Sequence, residues 1–292
     1  MNKGGEGKRR IATVGTFDGL HRGHRRVIEM LKAEASARGL EPMVICFDRH
    51  PLETLAPERA PMLVQSPSER TNALYNWGIS LYTLEFTPSM AAMSAADWLS
   101  MMHAEHGVDV LVVGYDNTFG HDGTSMNVTD YKELGRKMGV EVIAAPYEPK
   151  ASSSAIRRLL SEGDVEGANA LLGHSFSIVG TVEEGKQLGA SLGFPTANVH
   201  PAYRALMPKN GVYVVEVELS GGRLLKGVAN VGTQPSVAVD APVTLEVHIP
   251  GFNEDLYGRR LSVRFLRRLR DEKKFDSLRE LKAQIGRDIK SI

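Results

Sequence analysis

Two histidines three residues apart, His21 and His24, close the stretch Gly15-Thr16-Phe17-Asp18-Gly19-Leu20-His21-Arg22-Gly23-His24. An apolar run, Ile11–Val14, precedes it, and an amphipathic helix with Val27, Ile28, Leu31 and Ala35 on one stripe follows it. A strand that runs through a glycine-rich turn into a helix start is a phosphate-binding geometry. The unpaired N–H groups and the positive end of the helix dipole point at whatever lies above the turn. Gly15, Gly19 and Gly23 let backbone approach a ligand, and the histidines add side-chain donors. Two bland readings stand beside this one: surface histidines, or half of a metal site for which no third and fourth ligands fit.

Other groups suit phosphate chemistry too. Ser152, Ser153 and Ser154 followed by Arg157 offer hydroxyls and a guanidinium, although a serine run before a helix is also an N-cap cluster. Thr196 and Asn198 place a hydroxyl and an amide oxygen at alternate positions. Such hard donors suit a divalent cation bridged to phosphates, and loop hydrogen bonding is the alternative. Glu246 and His248 share one face of an apolar strand; on residue pattern alone Glu246 reads as an outward, solvated glutamate.

The elements that must position these groups change character along the chain. Apolar runs at Ile11–Val14, Met43–Phe47, Ile79–Leu84, Val108–Val113 and Val140–Ala145 alternate with helical periodicity at 24–37, 68–77, 94–106 and 130–138. Asp130 with Glu133 is the expected cap of the last of these helices. Alternation of this kind predicts a doubly wound, Rossmann-like parallel sheet with ligands at the carboxyl ends of its strands, near the switch point. The segments at 48–51, 114–120 and 151–157 follow strands and are expected on the same edge as His21 and His24. Two short helices follow, and Gly173 looks like a boundary. Beyond it, β runs at Ser177–Val182, Gly211–Leu219, Leu224–Val231, Val243–Ile249 and Leu261–Leu266 predict an antiparallel barrel, closed by a helix at 276–289. The expected domains are therefore residues 10–172 and 173–292.

Composition narrows the class. Of 292 residues, 35 are basic and 35 acidic, which gives no support for nucleic-acid or membrane binding. No apolar stretch approaches the roughly 20 residues of a membrane span. Cys46 is the single cysteine, so no disulfide forms and a reducing compartment is expected. The first ten residues are basic without a following apolar core; they read as a flexible tail and not as a signal peptide. The basic cluster from Arg259 to Lys274 is interleaved with Asp271 and Glu272 and reads as a solvated face, part of which faces an anionic ligand.

The stretch Gly15–His24 resembles the signature of the nucleotidyltransferase superfamily. More specifically, the chain resembles the bacterial bifunctional riboflavin kinase/FMN adenylyltransferases. VVGYDNTFG (112–120) and SSSAIRRLL (152–160) are similar to motifs of the adenylyltransferase module. GFPTANV (193–199), GVYVVEV (211–217), GVANVGTQPSV (227–237), LEVHI (245–249), DLYG (255–258) and LRDEKKFDSLRELKAQI (269–285) are similar to the kinase module, in the expected order. The resemblance implies that Gly15, Phe17, Asp18, Gly19, His21, Gly23, His24, Ser152, Ser153, Ser154 and Arg157 bind ATP for adenylyl transfer. His21 and His24 then stabilise its transition state. It implies flavin contacts at Asp116, Asn117 and His50, with an Asx turn at Asp116 and a plain strand end at His50–Pro51 as alternatives. In the second module it implies ATP and Mg²⁺ at Gly193, Pro195, Thr196 and Asn198, with Thr196 and Asn198 as the metal ligands and Glu246 as the base.

Some positions depart from the family pattern. Asn117 stands where an aromatic is usual, Ser154 replaces threonine, and Ala190 and Gln234 stand where arginines are common. The expectation is a cytoplasmic enzyme, monomeric or weakly self-associating, that phosphorylates riboflavin to FMN and adenylylates FMN to FAD with a second ATP. Two alternatives remain: one activity retained with the other module as scaffold, or a flavin-binding and delivery protein without turnover. Intact His21, His24, Thr196, Asn198 and Glu246 argue against the last, because a pure binder needs neither base nor metal ligands.

Overall fold

The computed structural model describes residues 9–114, 118–145, 151–185, 189, 193–233 and 243–292. Asp116, Asn117, Ala190 and Gln234 lie outside the described residues. By its contacts the chain forms two compact units, residues 1–61 with 67–149, and residues 62–66 with 150–292.

The first unit is a five-stranded parallel sheet. Its strands are β1 (Arg10–Val14), β2 (Glu41–Phe47), β3 (Ser80–Leu84), β4 (Val108–Val113) and β5 (Glu141–Ala144), in the order β3-β2-β1-β4-β5. The chain winds outward from β1 to β3 and then crosses back to β4, so the switch point lies between β1 and β4. Both faces of the sheet are covered because both sets of alternating side chains are apolar. Ile11, Val44, Cys46, Val110 and Val112 pack with Ile28, Leu31 and Ala35 of α1 (Arg22–Arg38) and Leu74 of α3 (Pro67–Asn76). Ala12, Val14, Met43, Ile45, Leu111 and Val113 pack instead with Trp98, Leu99 and Met102 of α5 (Ala95–His106) and Tyr131 of α6 (Val128–Met138).

Local chemistry sets the helix ends. The helices α1, α5 and α6 stop at Gly39, Gly107 and Gly139, all left-handed. Helix α6 starts one turn earlier than the Asp130–Glu133 pair suggests. Asn127 is its N-cap, accepting from the Thr129 and Asp130 N–H groups, and Asp130 closes the box on the Asn127 N–H at 2.7 Å. An asparagine satisfies the first orphan donors as well as an aspartate does. Two short helices, α2 (Pro51–Leu55) and α4 (Pro88–Ala91), were not legible in the apolar periodicity because neither buries a residue.

In the second unit, α7 (Ser153–Glu162) and α8 (Val165–Leu172) precede a closed barrel. Its strands are β6 (Ser177–Glu183), β7 (Ala197–His200), β8 (Gly211–Glu218), β9 (Leu224–Thr233), β10 (Val243–His248) and β11 (Arg260–Arg270), in the order β10-β7-β6-β11-β8-β9, each pair antiparallel. Strand β7 extends the barrel reading: its four residues are too few to show alternation, yet they close the ring. The barrel is filled by Ile178, Tyr213, Val215, Val231, Leu245, Val247, Val263 and Phe265. Asn169 of α8 joins helix to barrel, donating to the Phe265 carbonyl at 2.9 Å and accepting from the Phe176 N–H at 2.7 Å. The terminal helix α9 (Leu278–Ile289), capped by Ser277, is held to β11 by the Arg270–Asp288 ion pair at 2.7 Å.

Candidate active sites

The first site is a strained turn at the carboxyl end of β1, beside the switch point. Phe17 (φ 47°) and Leu20 (φ 40°) are left-handed although neither is glycine; Gly19 (φ 87°) takes the same region at no steric cost. Each non-glycine residue held there costs on the order of 1–3 kcal/mol, and such strain gathers at functional sites. Burial maintains it, since Phe17, Asp18 and Leu20 are all buried. Neither Gly15 nor Gly23 has a positive φ, so their value is the absence of a side chain.

His21 is the N-cap of α1, with its Nδ1 accepting from the His24 N–H at 3.3 Å. That bond assigns the proton of a neutral His21 to Nε2, making this edge of the ring a donor. The His24 ring stacks on His21 with centroids 3.6 Å apart and meets Phe17 at 4.9 Å. Burial holds the His24 pKa well below the ordinary histidine value, and the charges of His21 and Arg70 push it the same way. His24 is therefore held neutral, and with His21 it stands next to the N–H groups at the start of α1.

The remaining adenylyltransferase candidates are distributed. His50 caps α2, accepting from the Leu52 N–H at 3.2 Å, while its own N–H is held by Glu53 at 3.1 Å. Ser152 caps α7 by accepting from the Ala155 N–H at 3.2 Å, so the serine run does contain a cap. Arg157 donates from Nε to the Met62 carbonyl at 3.0 Å. Helix α7 groups by contacts with the second unit, and the histidine turn with the first.

The second site is built across three barrel strands. Glu246 on β10 is the register partner of both Asn198 on β7 and Asn230 on β9. Leu245 and Val247 point into the barrel, which turns Glu246 and His248 outward, as the strand period requires. The outward face is nevertheless covered. A cavity of about 370 Å³ lies there, lined by Phe194, Thr196, Asn230, Glu246, His248, Arg270, Glu272, Leu281, Ile285 and Asp288. His248 is oriented by a 2.8 Å contact from Nδ1 to the Pro195 carbonyl and by an edge-on contact with Phe194. A second cavity of about 350 Å³ is lined by Val182, Pro195, Thr196, Val247, Phe252, Asp255 and Tyr257. Thr196 lines both. Asn198 is buried and packs so closely on Gly185 that any side chain there would collide with its amide. Asn230 and Glu272 escaped the sequence reading as site residues. The alternation Val228-Ala229-Asn230-Val231 was the available signal for Asn230.

Both sites can be compared with known proteins. The family described as FAD synthetase matches residues 5–156, and the family described as Riboflavin kinase matches residues 172–292. A bifunctional riboflavin kinase/FMN adenylyltransferase of Escherichia coli (strain K12) is 38% identical over 284 residues, covering 95% of this chain and 90% of that protein. The chain belongs to this bifunctional family. A member from Bacillus subtilis (strain 168) is 34% identical with the same coverage. The two activities are therefore phosphorylation of riboflavin to FMN and adenylylation of FMN to FAD, with ATP and flavins as substrates and products.

A solved structure described as a macrolide-efflux protein from Streptococcus pneumoniae is 32% identical. It covers 98% of this chain and 94% of its own, with a TM-score of 0.87. Among the described residues, no helix here is long and apolar enough to cross a membrane.

Proposed function

We propose that adenylyl transfer takes place within residues 10–172 and riboflavin phosphorylation within 173–292, each with its own ATP. The observation that supports the kinase assignment is Thr196, which lines two cavities at once. Riboflavin occupies the cavity of Glu246, whose aliphatic walls suit a flat ring system. ATP occupies the cavity of Pro195, Phe252 and Tyr257. The γ-phosphoryl group then meets the ribityl hydroxyl beside Thr196. That hydroxyl is a neutral alcohol, and Glu246 accepts its proton as the hydroxyl oxygen bonds to the γ-phosphorus and the γ-phosphorus–oxygen bond to ADP breaks, releasing ADP.

Mg²⁺ fits this site as a substrate-borne ion. Among the described residues no cluster of three or more His, Cys, Asp or Glu could hold a metal. The Thr196 hydroxyl and the Asn198 amide oxygen are the hard donors that would hold it. Bound there, Mg²⁺ would supply neutralisation of charge on the transferring phosphates. Thr196 and Asn198 orient the triphosphate, and Gly193 and Pro195 shape the wall around it.

In the first unit the nucleophile is an FMN phosphate, already anionic, so alignment and charge stabilisation suffice. His21 and His24 donate to the α-phosphate and leaving group, with the backbone of Gly15–Gly23 closing round them. Ser153, Ser154 and Arg157 of α7 are the further phosphate-binding candidates. His50 lines the flavin side. Cytoplasmic residence is proposed from the single, unpaired Cys46.

Chelation tests the metal assignment. Addition of a chelator should stop formation of both FMN and FAD, and Mg²⁺ should restore both. Turnover that continues without divalent ions would overturn the role given to Thr196 and Asn198.

A further inference from the structure

Arg70 belongs to no motif, yet it reaches the histidine turn from a separate element. It lies in the first turn of α3 and donates from Nη1 to the Thr16 carbonyl at 2.7 Å. Thr16 immediately precedes Phe17, the first left-handed residue of the turn. The bond therefore fixes the peptide at which the strained path begins. The Arg70 Nε is buried and has no hydrogen-bond partner among the described residues. An arginine fork with a buried N–H unmet is costly unless the site gains from it. We infer that Arg70 is a positioning residue for adenylyl transfer, holding the Thr16–Leu20 turn in its strained form and supplying fixed positive charge behind His21 and His24.

The inference rests on the proposed role of that histidine turn. The charged and titratable groups that reach His24 are His21 from its own turn and Arg70 from α3, and both oppose its protonation. On β2, Cys46 also feels Arg70, although burial dominates and raises its thiol pKa to about 11. With Arg70 absent, two things change. The turn loses its anchor, so the donors drift from the α-phosphate. His24 also takes up a proton more readily, so the acid limb of the rate moves to higher pH. A purely structural arginine would give the first effect without the second.

The test uses the full chain with Arg70→Met, Arg70→Lys and His24→Gln, assaying FMN adenylylation across pH and riboflavin phosphorylation in the same preparations. Arg70→Met should lower adenylylation by about 10²-fold, the scale of a misplaced reacting group. Its acid limb should move upward, while riboflavin phosphorylation is kept. Arg70→Lys keeps the charge and should keep the wild-type limb, with a smaller loss of rate. A loss in Arg70→Met with an unmoved limb, or no loss in either Arg70 variant while His24→Gln is inactive, would overturn the inference. Full adenylylation by His24→Gln would instead overturn the histidine site itself.

Discussion

The two proposed sites face the same problem, holding a triphosphate against a flavin, and are built from opposite materials. The first is one continuous decapeptide, bent through two left-handed non-glycine residues and completed by a helix end. Its donors are held by backbone strain and burial. The second is unstrained by comparison: side chains from β7, β9 and β10 stand in ladder register, and the hydrogen-bonded barrel fixes their spacing. On the proposed assignment, adenylyl transfer, which requires alignment and charge stabilisation, draws on backbone and histidine rings. On the same assignment, phosphorylation of an alcohol, which requires a proton acceptor, draws on a carboxylate on a rigid strand.

If that contrast holds, the sharpest break comes from the base. Glu246→Gln should lower FMN formation by about 10²–10⁴-fold, the usual worth of general-base catalysis. Conversion of supplied FMN to FAD should be unchanged in the same protein, read by chromatography of the two flavins. Equal loss of both steps in folded protein would erase the division between the sites.

A smaller effect is expected at the turn. His24→Gln should lower adenylylation by about 10²–10³-fold, the worth of one preorganised donor. It should also change stability against pH. The folded pKa of His24 lies below its unfolded value, so the unfolded chain takes up the proton first as pH falls through about 6.5. Stability of the wild type is therefore lost on the acid side of that point, and His24→Gln should flatten this loss in thermal melts from pH 7 to 5. An unchanged acid slope would mean that His24 is not held neutral. The smallest effect belongs far from either site: Asn127→Ala removes the α6 cap and should cost about 1 kcal/mol in denaturant titration with both activities intact.

Legibility in the sequence followed the same divide. The first site was readable because its parts are consecutive: strand, glycine turn, histidine pair and helix lie within 30 residues of one another. The doubly wound sheet was readable for a related reason, since each strand carries apolar residues on both faces. The second site was different. On its own pattern Glu246 looked solvated, and only family resemblance marked it as the base. What covers it comes from distant segments, including Leu281, Ile285 and Asp288 on the terminal helix, and strand period says nothing about such closure. Arg70 was invisible for the same reason, because its partner Thr16 is 54 residues away. The α6 cap was misplaced by one turn because Asn127 and Asp130 are both good caps and only geometry ranks them.

The weaving of residues 62–66 into the second unit has a practical consequence for anyone wishing to divide this chain. Leu63 accepts from the Leu206 N–H at 2.8 Å and donates to the Arg204 carbonyl at 2.7 Å, and Val64 is buried in the core around the barrel. A kinase fragment begun anywhere after residue 66 would lack that plug and leave the main chain at 204–206 without its mate. No single cut yields two whole pieces; a clean separation would require grafting the five-residue stitch back onto the carboxyl-terminal fragment.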